Sequence, residues 1–225
     1  MYTGFRGRYP NFRKGLNMMV NEELLKLITG RVIDKITKYN AFKIPVGVSN
    51  RHVHVTSEDL ETLFGKGYQL DLKQPGQYAC NETVTIRGPK GEFERVRILG
   101  PVRKQSQIEI SKTDSFRLGV KAPIRESGDL TGTPGLEMVG PKGTVWLPRG
   151  AIVALRHIHM TPQQAEAMGV WDKDIVEVET FGERHGVFGD VLIRVSEQFE
   201  LEMHVDVDEA NACALKNNDY VIIRR

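Results

Sequence analysis

Arg51-His-Val-His-Val-Thr-Ser-Glu-Asp-Leu60 returns later in the chain as Arg156-His-Ile-His-Met-Thr-Pro-Gln-Gln-Ala165. A repeat of this length outweighs any single motif. Each copy starts as an alternating strand. A threonine, Thr56 or Thr161, then stands where a helix N-cap belongs, and Pro162 takes a first helical position. Each short helix stops at a glycine, Gly65 or Gly169, the residue best suited to a C-cap. Gly88-Pro-Lys-Gly91 and Gly140-Pro-Lys-Gly143 form a second echo, each a turn between strand-like runs. Two related β-rich units are expected, with pieces that need not be contiguous in space.

The rest of the chain agrees. Strand-like runs bounded by Gly or Pro occur at Ile44–Val48, Thr83–Arg87, Phe93–Leu99, Gln107–Ser111, Leu136–Val139, Thr144–Leu147, Ile152–Leu155, Ile175–Thr180, Val191–Val195, Leu201–Val207 and Tyr220–Ile223. Helices are few and short. Many short strands at close spacing predict a mainly β fold with short capping helices (α+β), built as barrels or sandwiches. Residues 1–20 carry Gly4, Gly7, Pro10 and Gly15, and read as a flexible extension; Met18 or Met19 is an alternative start. Residues 21–39 read as an amphipathic helix, opened by Asn21 and two acids, with Leu24, Leu25, Ile28, Val32, Ile33 and Ile36 at helical spacing. Such a helix either packs on the core or enters a partner's groove.

Composition excludes several classes. The 225 residues include 31 Lys+Arg and 29 Asp+Glu, a net charge of +2. No basic excess marks a nucleic-acid binder. No apolar run approaches the roughly 18 residues that span a bilayer, so no membrane partner is expected. Two cysteines, Cys80 and Cys213, form no CxxC and no disulfide framework, which suggests a reducing, cytoplasmic setting. There is no Gly-x-Ser-x-Gly elbow and no Rossmann Gly-x-Gly-x-x-Gly.

The chemistry concentrates in the repeat. Strand residues two apart share a face, so His52/His54 and His157/His159 each present paired imidazoles that can chelate a metal. With six histidines, chance predicts roughly 0.2 such pairs. Two pairs in matching contexts argue for a duplicated site; the alternative is strand histidines that merely hydrogen-bond. In Leu201-Glu-Met-His-Val-Asp-Val-Asp208, Leu201, Met203, Val205 and Val207 face one way, and Glu202, His204, Asp206 and Asp208 the other. His204 is thus the candidate third ligand beside His157 and His159. Glu109, in Gln107-Ile-Glu-Ile-Ser111, is the candidate third ligand beside His52 and His54. Three ligands with an open fourth position make a catalytic rather than structural site; zinc is favoured, with other divalent metals as alternatives. Arg103 suits a bidentate grip on phosphate, although it lies six residues from Glu109, about 20 Å along a straight strand. Both serve one substrate only if the chain bends between them. The Gly-rich loop from Arg125 to Gly135 is long enough to cover a ligand.

Pro45-Val-Gly-Val-Ser-Asn-Arg-His-Val-His54, Gln74-Pro-Gly-Gln-Tyr-Ala79, the run Gly100-Pro-Val-Arg to Thr113-Asp114, Ala154-Leu-Arg-His-Ile-His-Met160 and Leu201 to Asn211 together resemble the PduL-type phosphate propanoyltransferase (phosphotransacylase) family. The similarity covers about Pro45 to Asn211; residues 1–19 fall outside it. The resemblance implies reversible conversion of acyl-CoA (propanoyl-CoA, also acetyl-CoA) and phosphate to acyl phosphate and CoA. It implies two β-barrels, the first from 44–50 plus 151–225 and the second from 51–150. It implies two zinc ions, one on His52, His54 and Glu109, the other on His157, His159 and His204. Arg103 matches its phosphate-binding arginine. Val48, Ser49, Asn50, Lys90, Arg97 and Asn211 match its CoA-contacting positions. A homodimer is implied. In some homologues an N-terminal amphipathic helix directs enclosure in a bacterial microcompartment, with shell or core proteins as partners, and 21–39 could be that segment. The rival classes are a dinuclear metal hydrolase of acyl-CoA or phosphoesters and a non-catalytic CoA- or metal-binding shell component.

Overall fold

A computed structural model describes residues 22–71 and 78–224. The expected extension over 1–20 and the Gln74-Pro-Gly-Gln motif lie outside them. In chain order the elements are α1 (Glu22–Ala41), β1 (Ile44–Ser49), β2 (His52–His54), α2 (Ser57–Phe64), β3 (Tyr78–Arg87), β4 (Glu92–Gly100), β5 (Gln107–Glu109), α3 (Lys112–Leu118), β6 (Ile124–Arg125), β7 (Leu136–Val139), β8 (Thr144–Leu147), β9 (Ala151–Ala154), β10 (His157–Met160), α4 (Pro162–Met168), β11 (Ile175–Thr180), β12 (Val187–Val195), β13 (Glu202–Asp206), α5 (Val207–Ala212) and β14 (Tyr220–Ile223).

Residues 42–225 form one compact unit. Within it, β1-β13-β10-β12-β11-β14 close into a barrel, which leaves no unpaired edge. The other strands form an eight-stranded sheet in the order β6-β9-β5-β2-β4-β3-β7-β8. Among the described residues its edge strands β6 and β8 do not pair, so the second unit is a curled half-barrel sheet rather than a closed barrel.

The two units share a pairing scheme. In the barrel, β13 runs parallel to β1 and antiparallel to β10, which runs parallel to β12. In the sheet, β5 runs parallel to β9 and antiparallel to β2, which runs parallel to β4. The exchange of first strands is reciprocal: β1 sits in the barrel but leads into β2 of the sheet, and β9 sits in the sheet but leads into β10 of the barrel. The chain therefore crosses between units at Asn50–Arg51 and at Leu155–Arg156. The second crossing corrects the expected division, because Ala151–Ala154 pairs with β5 and β6 and belongs to the sheet.

Period-2 alternation puts apolar residues inside. Ile158, Met160, Met203 and Val205 enter the barrel core, and Val53, Ile98 and Ile108 the core of the sheet. The histidines take the opposite face in both units. Thr56 and Thr161 cap α2 and α4 as expected, each accepting from the backbone N–H three residues on. The strand runs ending at Ser111 and Val207 stop short of those expected limits. Ser111 and Asp206 are N-caps with full capping boxes, completed by Asp114 and Glu209.

The repeated Gly-Pro-Lys-Gly turns receive helix ends. Lys90 N–H donates to the Leu118 carbonyl of α3 (3.1 Å), and Lys142 N–H to the Leu63 carbonyl of α2 (2.9 Å). A Cβ on Gly88 or Gly140 would collide with the same carbonyls, which accounts for glycine there.

In α1, Leu24, Leu25, Leu27, Ile28, Val32 and Ile33 are all exposed. No helix among the described residues is long and apolar enough to cross a membrane.

Candidate metal centres

Strand register assembles two triads. β2 and β5 bring His52 opposite Glu109, with His54 on the same face. β10 and β13 bring His157 opposite His204, with His159 beside them. In each triad the available donor atoms lie within 4.8 Å of one another. The two sets are those read from the sequence.

Hydrogen bonds orient the imidazoles. His52 Nδ1 donates to the Asn50 carbonyl (2.9 Å), His54 Nδ1 to Leu99 (3.1 Å) and His157 Nδ1 to Leu155 (2.8 Å). A carbonyl only accepts, so these rings carry the proton on Nδ1 and turn the Nε2 lone pair inward, the usual preparation of a metal-binding histidine. Glu109 lies 3.4 Å from His52 Nε2 and 3.6 Å from His54 Nε2. His159 Nε2 is buried with no hydrogen-bond partner among the described residues. Leaving such an atom unsatisfied is costly unless something accepts its lone pair.

The electrostatics suit a cation. Burial pushes Glu109 up, but attraction to His52 and His54 when those rings are protonated outweighs it and holds the carboxyl well below its usual range. Burial, with His157, His204 and Arg194 nearby, lowers His159 to about 2; burial and His157 lower His204 to about 4. At neutral pH the second triad therefore offers neutral imidazoles. Nitrogen-rich and mixed nitrogen–carboxylate sets of three fit a divalent metal, zinc foremost.

Arg103 reaches the first triad because the chain turns after β4. Its N–H donates to the Val55 carbonyl (2.8 Å), and its Nη1 to Ser127 Oγ (3.1 Å). Ser127 Oγ in turn donates to Glu109 Oε1 (2.8 Å). Gln107 Nε2 also donates to Glu109 Oε1 (2.5 Å), while Gly128 N–H donates to Gln107 Oε1 (2.8 Å). Arg103, Lys104, Gln105, Gln107, Gly128 and Leu130 line a cleft of about 220 Å³. The Gly-rich loop thus fastens onto the site through Ser127 and Gly128, roles that sequence reading missed. Gln107 was missed as well; its signal was a polar residue two before Glu109, on the same strand face.

The remaining candidates are dispersed. Val48, Ser49 and Asn50 lead directly into the first triad, and Asn50 Oδ1 accepts from Arg51 N–H (2.8 Å). Arg97 lies opposite His52 on β4 and donates to the Cys80 carbonyl (2.7 Å). Asn211 sits in α5, beyond the His204 strand. Lys90 lies at the far end of β4 from Gly100, about 20 Å along the chain from Arg97. There its stem packs against Gly119.

The family model for phosphate propanoyltransferase matches residues 45–216. The chain is 62% identical over 185 residues to a phosphate propanoyltransferase of Thermotoga maritima, covering 80% of this chain and 88% of that protein. It is 53% identical over 186 residues to one of Rhodopseudomonas palustris, covering 81% and 82%. Against one of Lachnoclostridium phytofermentans, identity is 50% over 212 residues, covering 91% and 100%.

Proposed function

The chain belongs to the phosphate propanoyltransferase family, and we infer from that premise that it is an acyltransferase moving a propanoyl group reversibly between CoA and inorganic phosphate. Acetyl-CoA is proposed as a second substrate. The structural observation that supports this reading best is Arg103, joined through Ser127 to the Glu109 triad beside an open cleft.

A phosphate oxygen attacks the thioester carbonyl carbon; the C–S bond breaks and CoA leaves as a thiol once protonated. Both reactants are anions, so the protein must offset their repulsion and align them. Arg103 offers a planar fork for two phosphate oxygens. Ser127 and Gln107 hold Glu109, and the Nδ1 bonds hold the histidines. Zinc ions on the two triads would polarise the thioester carbonyl and stabilise the departing thiolate. No acyl-enzyme is needed: Cys80 and Cys213 are buried, and burial pushes the Cys80 thiol up. Val48, Ser49, Asn50, Lys90, Arg97 and Asn211 are proposed to contact CoA, those near His52 at its reactive end.

The experiment is thiol release from propanoyl-CoA by the purified protein, with and without phosphate, after chelation and after zinc add-back. Release that needs phosphate, is lost on chelation and returns with zinc is expected. Phosphate-independent release would identify a hydrolase instead.

A homodimer is the proposed assembly, to be checked by sedimentation. The exposed apolar residues of α1 support its proposed role in microcompartment enclosure. Fluorescent fusions of the full chain and of a chain lacking residues 1–41 test it; equal recruitment to assembled shells would reject that role.

A further inference from the structure

Arg194 was not among the site residues expected from the sequence, yet three observations bring it to the second triad. β12 runs parallel to β10 with Arg194 opposite His159. Its guanidinium lies 5.6 Å from the Phe199 ring centroid, and that ring stacks on His159 at 4.0 Å. Its Nε stands 3.7 Å from Glu126 Oε1, in the residue next to Ser127. The loop that delivers Ser127 to Arg103 therefore delivers Glu126 to Arg194.

Glu126 is shared between two cations, because its oxygen lies closer to Lys173 Nζ, at 2.5 Å, than to Arg194. Arg103, bonded to Ser127, and Arg194, facing Glu126, are thus tied to adjacent residues of one loop. Two guanidiniums within electrostatic reach of each other repel unless an anion lies between them. A phosphate has enough acceptor oxygens for two planar forks, and one fork covers only two of them.

We propose that Arg194 is a second anion-binding residue of the acyl-transfer site, gripping from the barrel side the phosphate that Arg103 grips from the sheet side. The inference rests on the acyl-transfer reading above. The same chemistry could be met by a phosphate group of CoA, so the test separates the two sources.

Wild-type, Arg194→Ala and Arg194→Lys enzymes, all metal-loaded, are compared in two ways. Steady-state kinetics give separate KM values for phosphate and propanoyl-CoA, and calorimetry measures binding of inorganic phosphate. Arg194→Ala should raise the phosphate KM and Kd by at least about tenfold, with the propanoyl-CoA KM within about twofold. Lysine should recover only part, because an ammonium lacks the fork. If Arg194→Ala does not fold, Arg194→Gln keeps most of the stem over Phe199 and carries the same comparison. Unchanged phosphate KM and Kd would overturn the inference, as would a shift in the propanoyl-CoA KM alone, which would assign Arg194 to CoA. A wild-type enzyme without phosphate-dependent thiol release would instead defeat the acyl-transfer reading, and calorimetry would still judge Arg194.

Discussion

The Arg51 guanidinium grips the Asp114 carboxylate twice, with Nε 3.0 Å from Oδ2 and Nη2 2.8 Å from Oδ1. The repeat reproduces the device: Arg156 Nη1 lies 2.8 Å from Glu209 Oε1. In each copy the arginine directly precedes the His-x-His strand. Its acid is the third residue of the helix that follows the strand of the third ligand. Each pair therefore ties together the two strands whose register makes a triad. The duplication extends beyond the candidate metal ligands to the residues that position them.

Arg51→Ala removes that tie and leaves the Asp114 carboxylate, only 5% exposed, without its cation. Arg51 itself is partly exposed, so the loss is smaller than for a fully buried pair, about 2 kcal/mol. Denaturant unfolding should show it as a lower midpoint at unchanged slope. A midpoint equal to wild type would mean that the ion pair is structurally idle.

Gly140→Ala should cost about 1–3 kcal/mol, because its Cβ meets the Leu63 carbonyl and helix α2 cannot yield cheaply. Gly47→Ala makes the opposite case. Its Cβ would stand 2.6 Å from Glu202 Cδ, but that carboxylate is the end of a flexible side chain. Gly47→Ala should leave stability within about 0.5 kcal/mol of wild type. Thermal melts of both variants check the contrast, and equal losses would contradict it.

The metal-free protein should weaken on mild acidification. Burial, foremost, lowers His54, His157, His159 and His204 below the usual 6.5. As pH falls through 6.5 the unfolded chain takes up protons that the folded chain refuses, so stability falls. His52 is raised by Glu109 against the effect of its burial, and acts in the opposite sense, but it is one group against four. The half-buried acids Glu202, Asp206 and Glu209 are raised, chiefly by partial burial, and also favour acid, in a lower range. Chelator-treated protein should therefore melt at a lower temperature at pH 6.0 than at pH 7.5. A higher melting temperature at pH 6.0 would reverse the sign.

The triads were legible because they depend on local rules, namely a two-residue strand period and a repeated motif. His52, His54, His157, His159 and His204 needed nothing more, and Glu109 only the matching of one strand to another. The helices α3 and α5 were equally local, written in Ser111-x-x-Asp114 and Asp206-x-x-Glu209, but the strand reading ran on to Ser111 and Val207 and assigned no element after them. Tertiary facts were not legible. The strand exchange depends on which sheet edge β9 meets, and Ser127 gains its role only because a loop folds over Glu109. Arg194 looked like one polar residue in an apolar strand until pairing set it opposite His159.

The two candidate metal triads and Arg103 make separable predictions. His159→Ala removes one of three ligands from the second triad and should cut bound metal from about two to about one per chain, by elemental analysis. Arg103→Ala touches no ligand. It should keep about two metals and lose at least about 100-fold in kcat/KM, the scale of losing a charged group that stabilises a reacting anion. Ser127→Ala lies between these cases. It removes one hydrogen bond from Arg103 Nη1 and takes one donor from Glu109, which keeps Gln107 Nε2. Turnover should fall about tenfold with metal content unchanged, because orientation is lost but no ligand is. If Ser127→Ala instead lost metal along with activity, its hydroxyl would serve the metal site rather than the arginine.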